Sequence, residues 1–250
     1  MVFVSAGASS PKLTEMGEYF FRVYPSDSYP VSVLGSFAVE NKGFKRFATL
    51  TINNEYGDGF KRSFSDSAKK AGGSVIAEEL FPLNASDFRT QLTKIKQKRP
   101  EALFIASNPK EFPLIVKQVK ELGISAVLLG DMAYVESDEG KTAWNDIDEL
   151  YYAVQIESTT GIWKRVQETY KQQYNKDGDF LVQIGYDSAK VVLEAMDAVG
   201  TDSEKVKNYL YGLKNYEAAG GVLTFDRNGD VQKPFQIKEI KNGEAKIVSE

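Results

Sequence analysis

FATLTI (47–52), SVIAEELF (74–81), ALFIA (102–106), AVLLG (126–130) and LYYAV (150–154) recur at intervals of about 25 residues, with segments of helical period between them. Such short, almost wholly apolar runs are what strands covered on both faces require. Between the second and third runs, Phe88, Leu92 and Ile95 share one face of a helix, with Ser86 or Asp87 as N-cap and Pro100 as its stop. The next helix is expected to carry Pro109 in its first turn, Ile115, Val119 and Leu122 on its inner stripe, and Gly123 as C-cap. Regular alternation of strand and helix makes successive βαβ units, hence an α/β fold with a parallel sheet between two helical layers.

After Gln155 the pattern changes. Helices are expected at roughly 160–175, 180–199 and 203–214, the second with Leu181, Ile184, Ala189, Val192 and Met196 inward. A β segment at 220–226 leads into the turn DRNGD, and the chain closes with FQIKEI, a hairpin turn at Asn242-Gly243, and AKIV. This tail reads as a helical layer plus strands that return to complete sheets begun earlier. No short-period repeat, linker or low-complexity tract interrupts it.

Composition narrows the function. The chain has 250 residues, 42% hydrophobic and 26% charged, enough for one large domain or two smaller ones. Its 31 basic and 35 acidic residues are scattered without a block, which argues against a nucleic-acid partner. No apolar run approaches the roughly 20 residues that span a bilayer, and MVFVSAGASS has neither the basic nor the long apolar region of a signal peptide. Without cysteine there is no disulfide or thiolate chemistry; without histidine, Ser-His-Asp and Cys-His catalysis and ordinary zinc sites are excluded. A non-enzymatic protein with no cofactor and no metal is expected. NKDGD (175–179) and DRNGD (226–230) lack the Gly and Glu of a calcium loop and read as turns. The acidic group Glu136, Asp138, Glu139, Asp146, Asp148 and Glu149 reads as a solvated loop and strand entry.

Three stretches together resemble the type I periplasmic solute-binding proteins, specifically the Leu/Ile/Val-receptor branch that feeds ABC transporters. SAGASSPKLTE (5–15) with FFRVYPSDS (20–28) is similar to that family's first ligand loop and first hinge crossing. NNEYGDGF (53–60) with DFRTQLTKIKQKRPEALFIASNPKEF (87–112) resembles the core of its second lobe, and GGVLTFDRNGD (220–230) its late strand-turn. The resemblance implies two Rossmann-like parallel-sheet lobes with ligand in the cleft between them. It assigns residues 1–22 and 158–230 to the first lobe and 26–154 and 233–250 to the second, with crossings near 23–25, 155–157 and 231–232. About three βα units, on the order of 100 residues, would precede the first ligand loop in the family, so the first lobe is expected to be incomplete.

In open α/β sheets, ligands sit beyond the carboxyl ends of the strands. There the resemblance points to Ser9 with the backbone of Gly7 and Ala8, the loop that holds an α-carboxylate by hydroxyl and amide donors; the alternative is a turn or cap before Pro11. Tyr56 matches a position whose ring lies against the ligand, and otherwise reads as a surface-turn tyrosine. Asn108 stands where the family often has an aromatic residue, or caps the helix at Pro109. Asp131 is the acid best placed to pair an α-ammonium, or a turn residue capping the next helix, with Met132 at the family's acidic position if the loop aligns one residue differently. Tyr186 and Asp187 match a Tyr-rich motif, with Tyr186 expected in packing. The implied function is capture of an amino-acid-like ligand for an ABC permease in the periplasm or outside the cell, with a ligand-sensing domain of the same fold, or a fragment without ligand function, as alternatives. Apolar faces left over from an incomplete lobe are expected to hold the chain as a homo-oligomer.

Overall fold

The computed structural model describes residues 1–156, 161–231 and 233–249; of the expected crossings, positions 157 and 232 lie outside these described residues. The chain forms two compact units, Met1–Asp27 with Ile156–Pro234 and Ser28–Gln155 with Phe235–Glu250. The first opens with β1 (Phe3–Ser5), a 3-10 turn at Pro11–Glu15, and β2 (Phe20–Arg22). The second follows with α1 (Ser28–Glu40), β3 (Arg46–Ile52), α2 (Glu55–Lys70), β4 (Ser74–Phe81), α3 (Arg89–Lys98), β5 (Ala102–Ala106), α4 (Phe112–Glu121), β6 (Val127–Asp131), the short α5 (Met132–Val135) and α6 (Asp138–Lys141), and β7 (Leu150–Gln155). The chain returns to the first unit for α7 (Gly161–Tyr174), α8 (Phe180–Val199), α9 (Ser203–Gly212), β8 (Tyr216–Ala218) and β9 (Gly221–Leu223), then closes the second with β10 (Phe235–Lys241) and β11 (Glu244–Ser249).

In the second unit the five apolar runs are the parallel strands of one sheet, in the order β11-β10-β7-β6-β5-β3-β4. β10 pairs antiparallel with β7, and β11 with β10, so the closing hairpin completes a sheet begun earlier. Successive side chains of a strand point to opposite faces, and the core divides accordingly. Ala48, Leu50 and Ile52 of β3 pack with Leu92 and Ile95 of α3 and Ile115 and Val119 of α4. Phe47 faces the other way, onto Leu34 and Ala38 of α1 and Phe60 and Phe64 of α2, where the Phe64 ring stacks on Phe104 at 4.4 Å.

Two helix starts differ from expectation. α3 begins at Arg89 with Phe88 in the cap position, and Asp87 accepts the Arg89 N–H at 3.0 Å from one residue further out. α4 begins at Phe112 with Pro113 in its first turn; Pro109 lies in the turn before it. Proline is favoured at a helix start because no intrahelical partner exists there for an N–H, and Pro113 meets that condition where Pro109 does not. Part of the acidic group is structural and not simply solvated: Glu136 accepts from the Tyr152 hydroxyl and from Lys238 Nζ, both at 2.8 Å.

In the first unit β1 and β2 form a parallel pair, β8 and β9 an antiparallel one. Phe21 and Val23 pack with Ile184, Val191, Ala195, Val206, Leu210 and Phe225. α8 corrects the expected burial. Its buried residues are Gln183, Ile184, Asp187, Val191 and Ala195, whereas Leu181 is 57% and Met196 39% exposed and Ala189 faces solvent. Of the predicted stripe, Ile184 is buried and Val192 packs against the core, but Leu181, Ala189 and Met196 face solvent because Gln183 and Asp187, on the neighbouring face, are tied to the backbone at 219–220. Gln183 Nε2 donates to the Ala219 carbonyl, and Asp187 accepts the N–H groups of Ala219 and Gly220.

Candidate functional site

Three expected residues of the second unit share one edge of its sheet. Thr51 of β3 pairs with Ala106 of β5, Phe104 of β5 with Leu129 of β6, and all three strands run parallel, so Tyr56, Asn108 and Asp131 stand at the carboxyl ends of three adjacent strands. Asn54 caps α2 by accepting the Gly57 N–H at 2.9 Å, which places Tyr56 in the first turn. The half-buried Tyr56 ring lies 4.2 Å from that of Phe60. Asn108 is not the cap of α4: Glu111 holds that position, and Asn108 accepts the Phe112 N–H through its backbone carbonyl at 3.3 Å. Asp131 is a helix cap, its Oδ1 accepting the Ala133 N–H at 2.9 Å. Its backbone N–H donates to the Tyr134 hydroxyl at 2.8 Å, and that hydroxyl donates to the Ile105 carbonyl of the neighbouring strand. Complete burial pushes the Tyr134 hydroxyl far above its ordinary value, so it keeps the proton it donates.

The loop after β1 is held by its own polar groups. Ser5 Oγ accepts the Ala8 N–H at 3.0 Å, so that amide is already engaged and is not a vacant donor. Ser9 Oγ donates to Asp27 Oδ2 at 2.7 Å, and the Asp27 N–H donates back to the Ser9 carbonyl at 2.9 Å. Burial raises the Asp27 carboxyl above its usual range, opposed by the Ser9 hydrogen bond and the Arg22 charge. A serine hydroxyl has one proton. With that proton on Asp27, Ser9 Oγ has only lone pairs left to offer, a polarity that suits an ammonium better than a carboxylate. Tyr186 is partly exposed and Asp187 wholly buried. Among the described residues, no group of three His, Cys, Asp or Glu side chains converges on a metal site, and no helix is long and apolar enough to cross a membrane.

A family model described as periplasmic binding protein matches residues 1–245. The chain belongs to that family. The Leu/Ile/Val-binding protein homolog 3 of Brucella melitensis is 22% identical over 247 residues, covering 97% of this chain and 67% of the relative. The leucine-, isoleucine-, valine-, threonine-, and alanine-binding protein of Pseudomonas aeruginosa is 23% identical over 238 residues, covering 93% of this chain and 63% of the relative. The chain thus spans about two thirds of the length of these curated relatives. A crystal structure of a leucine binding protein from Thermotoga maritima superposes with a TM-score of 0.80 at 26% identity, covering 99% of this chain and 72% of that one.

In this periplasmic binding protein, sequence reading missed several residues that shape the candidate loops. Tyr134 had a signal, since the third residue after a helix cap is where a side chain reaches back to the cap backbone. Asp27 had none, being eighteen positions from its partner Ser9. Ser107, after β5, is buried and its Oγ has no hydrogen-bond partner. Glu111 is buried, with Oε1 accepting the Asn84 N–H at 3.1 Å and Oε2 without a partner.

Proposed function

We propose that this chain captures a small amino-acid-like solute and delivers it to an ABC permease, outside the cytoplasm, making and breaking no bond. Family membership supports a binding role, and the names of the relatives supply leucine, isoleucine, valine, threonine and alanine as first candidates. The observation that carries the assignment of residues is the shared strand edge. Tyr56, Asn108 and Asp131 form one set of contacts on the second unit, an apolar ring with a polar tip, an amide and a carboxylate. Gly7, Ala8 and Ser9 form a second set on the first unit. The polar Asn108 suits a ligand with a hydrogen-bonding side chain.

Calorimetry of the 250-residue chain against the common amino acids and aromatic acids tests this reading. Binding of at least one amino acid is expected. Asp131→Asn should weaken it by about 1–2 kcal/mol with an unchanged melt, because asparagine still caps α5. Tyr56→Ala should weaken binding by a similar amount and also lower the melting temperature, because its ring packs on Phe60. Silence across both panels refutes the function; binding untouched by either variant refutes the site.

A further inference from the structure

In the loop 5–15 no side chain is fully buried, and Ala6 makes only a small, partly buried apolar contact with the core of the first unit. The loop's one regular piece, the 3-10 turn at Pro11–Glu15, buries no side chain, and Gly7, Ala8 and Ser10 are exposed. Most of its order comes from polar contacts: beside Ser5–Ala8 and Ser9–Asp27, a further set converges on Arg22 of β2. The guanidinium is completely buried and grips Asp230 with two atoms, Nε to Oδ1 at 2.5 Å and Nη2 to Oδ2 at 2.8 Å. Nη2 also donates to Thr14 Oγ1 at 2.6 Å, Nη1 to the Ser10 carbonyl at 2.9 Å, and Thr14 Oγ1 donates on to Asp230 Oδ2 at 2.6 Å.

The other end of this clamp is equally fixed. Arg22 N–H donates to the Gly229 carbonyl at 3.0 Å, and Asp226 Oδ1 accepts from Asn228 and Asp230 within the turn. Gly229 has φ +78°, and a Cβ there would lie 2.1 Å from the Phe20 carbonyl oxygen, so the turn seats on β2 only with glycine. A buried ion pair contributes little net stability once desolvation is counted. What this one supplies is geometry. A guanidinium donates in several directions within one plane, so a single side chain reaches Ser10, Thr14 and Asp230 together; a lysine ammonium on a flexible stem does not reproduce that fork.

We infer that Arg22 is a positioning residue for the loop that carries Gly7, Ala8 and Ser9, tying it through Thr14 and Ser10 to the turn 226–230. This rests on reading that loop as ligand-bearing, but the clamp itself is testable without ligand. Amide hydrogen exchange on the 250-residue chain reads the order of residues 7–9 and 12–15 against that of Val191–Ala195 in α8. Thr14→Val keeps the Arg22–Asp230 pair and removes one strut; loop exchange should rise about tenfold with α8 unchanged, and Thr14→Ser should restore protection. Arg22→Lys should loosen the loop further. Unchanged loop exchange in both Thr14→Val and Arg22→Lys, or equal acceleration in loop and α8, would overturn the clamp. With a ligand found in the amino-acid panel, affinity should fall in step with loop order; a loosened loop with undiminished affinity refutes the positioning role. A wild type that binds nothing in the panel refutes the proposed function and leaves exchange to decide the clamp.

Discussion

Removing one oxygen from Tyr134 should loosen the second unit more than any exposed substitution at the candidate edge. In Tyr134→Phe the ring stays in place against Phe112, 5.2 Å between centroids, so no cavity opens and packing is unchanged. What is lost is the hydroxyl that accepts the Asp131 N–H and donates to the Ile105 carbonyl. An orphaned buried polar group costs about 1–3 kcal/mol. The carbonyl retains a second lone pair, and the Asp131 amide is only partly buried, so the whole effect should sit near the middle of that range, about 2 kcal/mol. For a protein of this size, that lowers the melting temperature by about 4–8 °C. The N-terminal half of α5 should lose exchange protection first, since Asp131 both caps it and depends on this bridge. Thermal denaturation followed by circular dichroism, with exchange at Met132–Val135, checks both parts. A melt within about 0.5 kcal/mol of wild type would show that water replaces the hydroxyl at no cost, and that Tyr134 does not hold the β5 and β6 ends together.

Two further outcomes follow from the first unit. Lys233 is buried with its Nζ unpartnered, and burial lowers its pKa against the opposing pull of Asp187. Between that lowered value and the ordinary lysine value of about 10.4, the unfolded chain binds more protons than the native one, so stability should rise with pH across this window. Lys233→Met should melt at or above the wild-type temperature near neutrality and lose that alkaline rise; an unchanged pH slope would place the effect elsewhere. The side chains of α8 that face solvent include Leu181 at 57%, Leu193 at 61% and Met196 at 39% exposure; if a second copy of the chain covers them, light scattering at low micromolar concentration should give a dimer. A clean monomer with a cooperative melt removes that expectation.

The sheet of the second unit was legible because its physics is local. Runs such as ALFIA and LYYAV are apolar on both faces, as strands covered on both sides require, whereas SVIAEELF, with Glu78 and Glu79, is the half-exposed edge strand β4. Asn242-Gly243 likewise names its own hairpin, with both residues at positive φ as that turn demands. α1 escaped notice although Pro30 stands in its first turn and Val31, Leu34 and Ala38 keep helical spacing, because Gly35 interrupts the helical signal.

Which face of a helix is buried, and which donors a loop has already engaged, are decided by partners far along the chain. α8 carries an apolar stripe that reads as inward, yet Asp187 and Gln183 turn the neighbouring face to the 219–220 backbone, thirty-odd residues away. Ser9 reads as a donor until Asp27 takes its proton. Arg22 carries no local signal of its role, which appears only when Asp230, 208 positions on, closes the clamp. The sequence by itself determined the alternation of strand and helix, turn chemistry and the excluded catalytic classes, since these rest on neighbours a few residues apart. Only the tertiary structure decided hydrogen-bond polarity and helix rotation, because both depend on polar groups that meet only after the chain has folded.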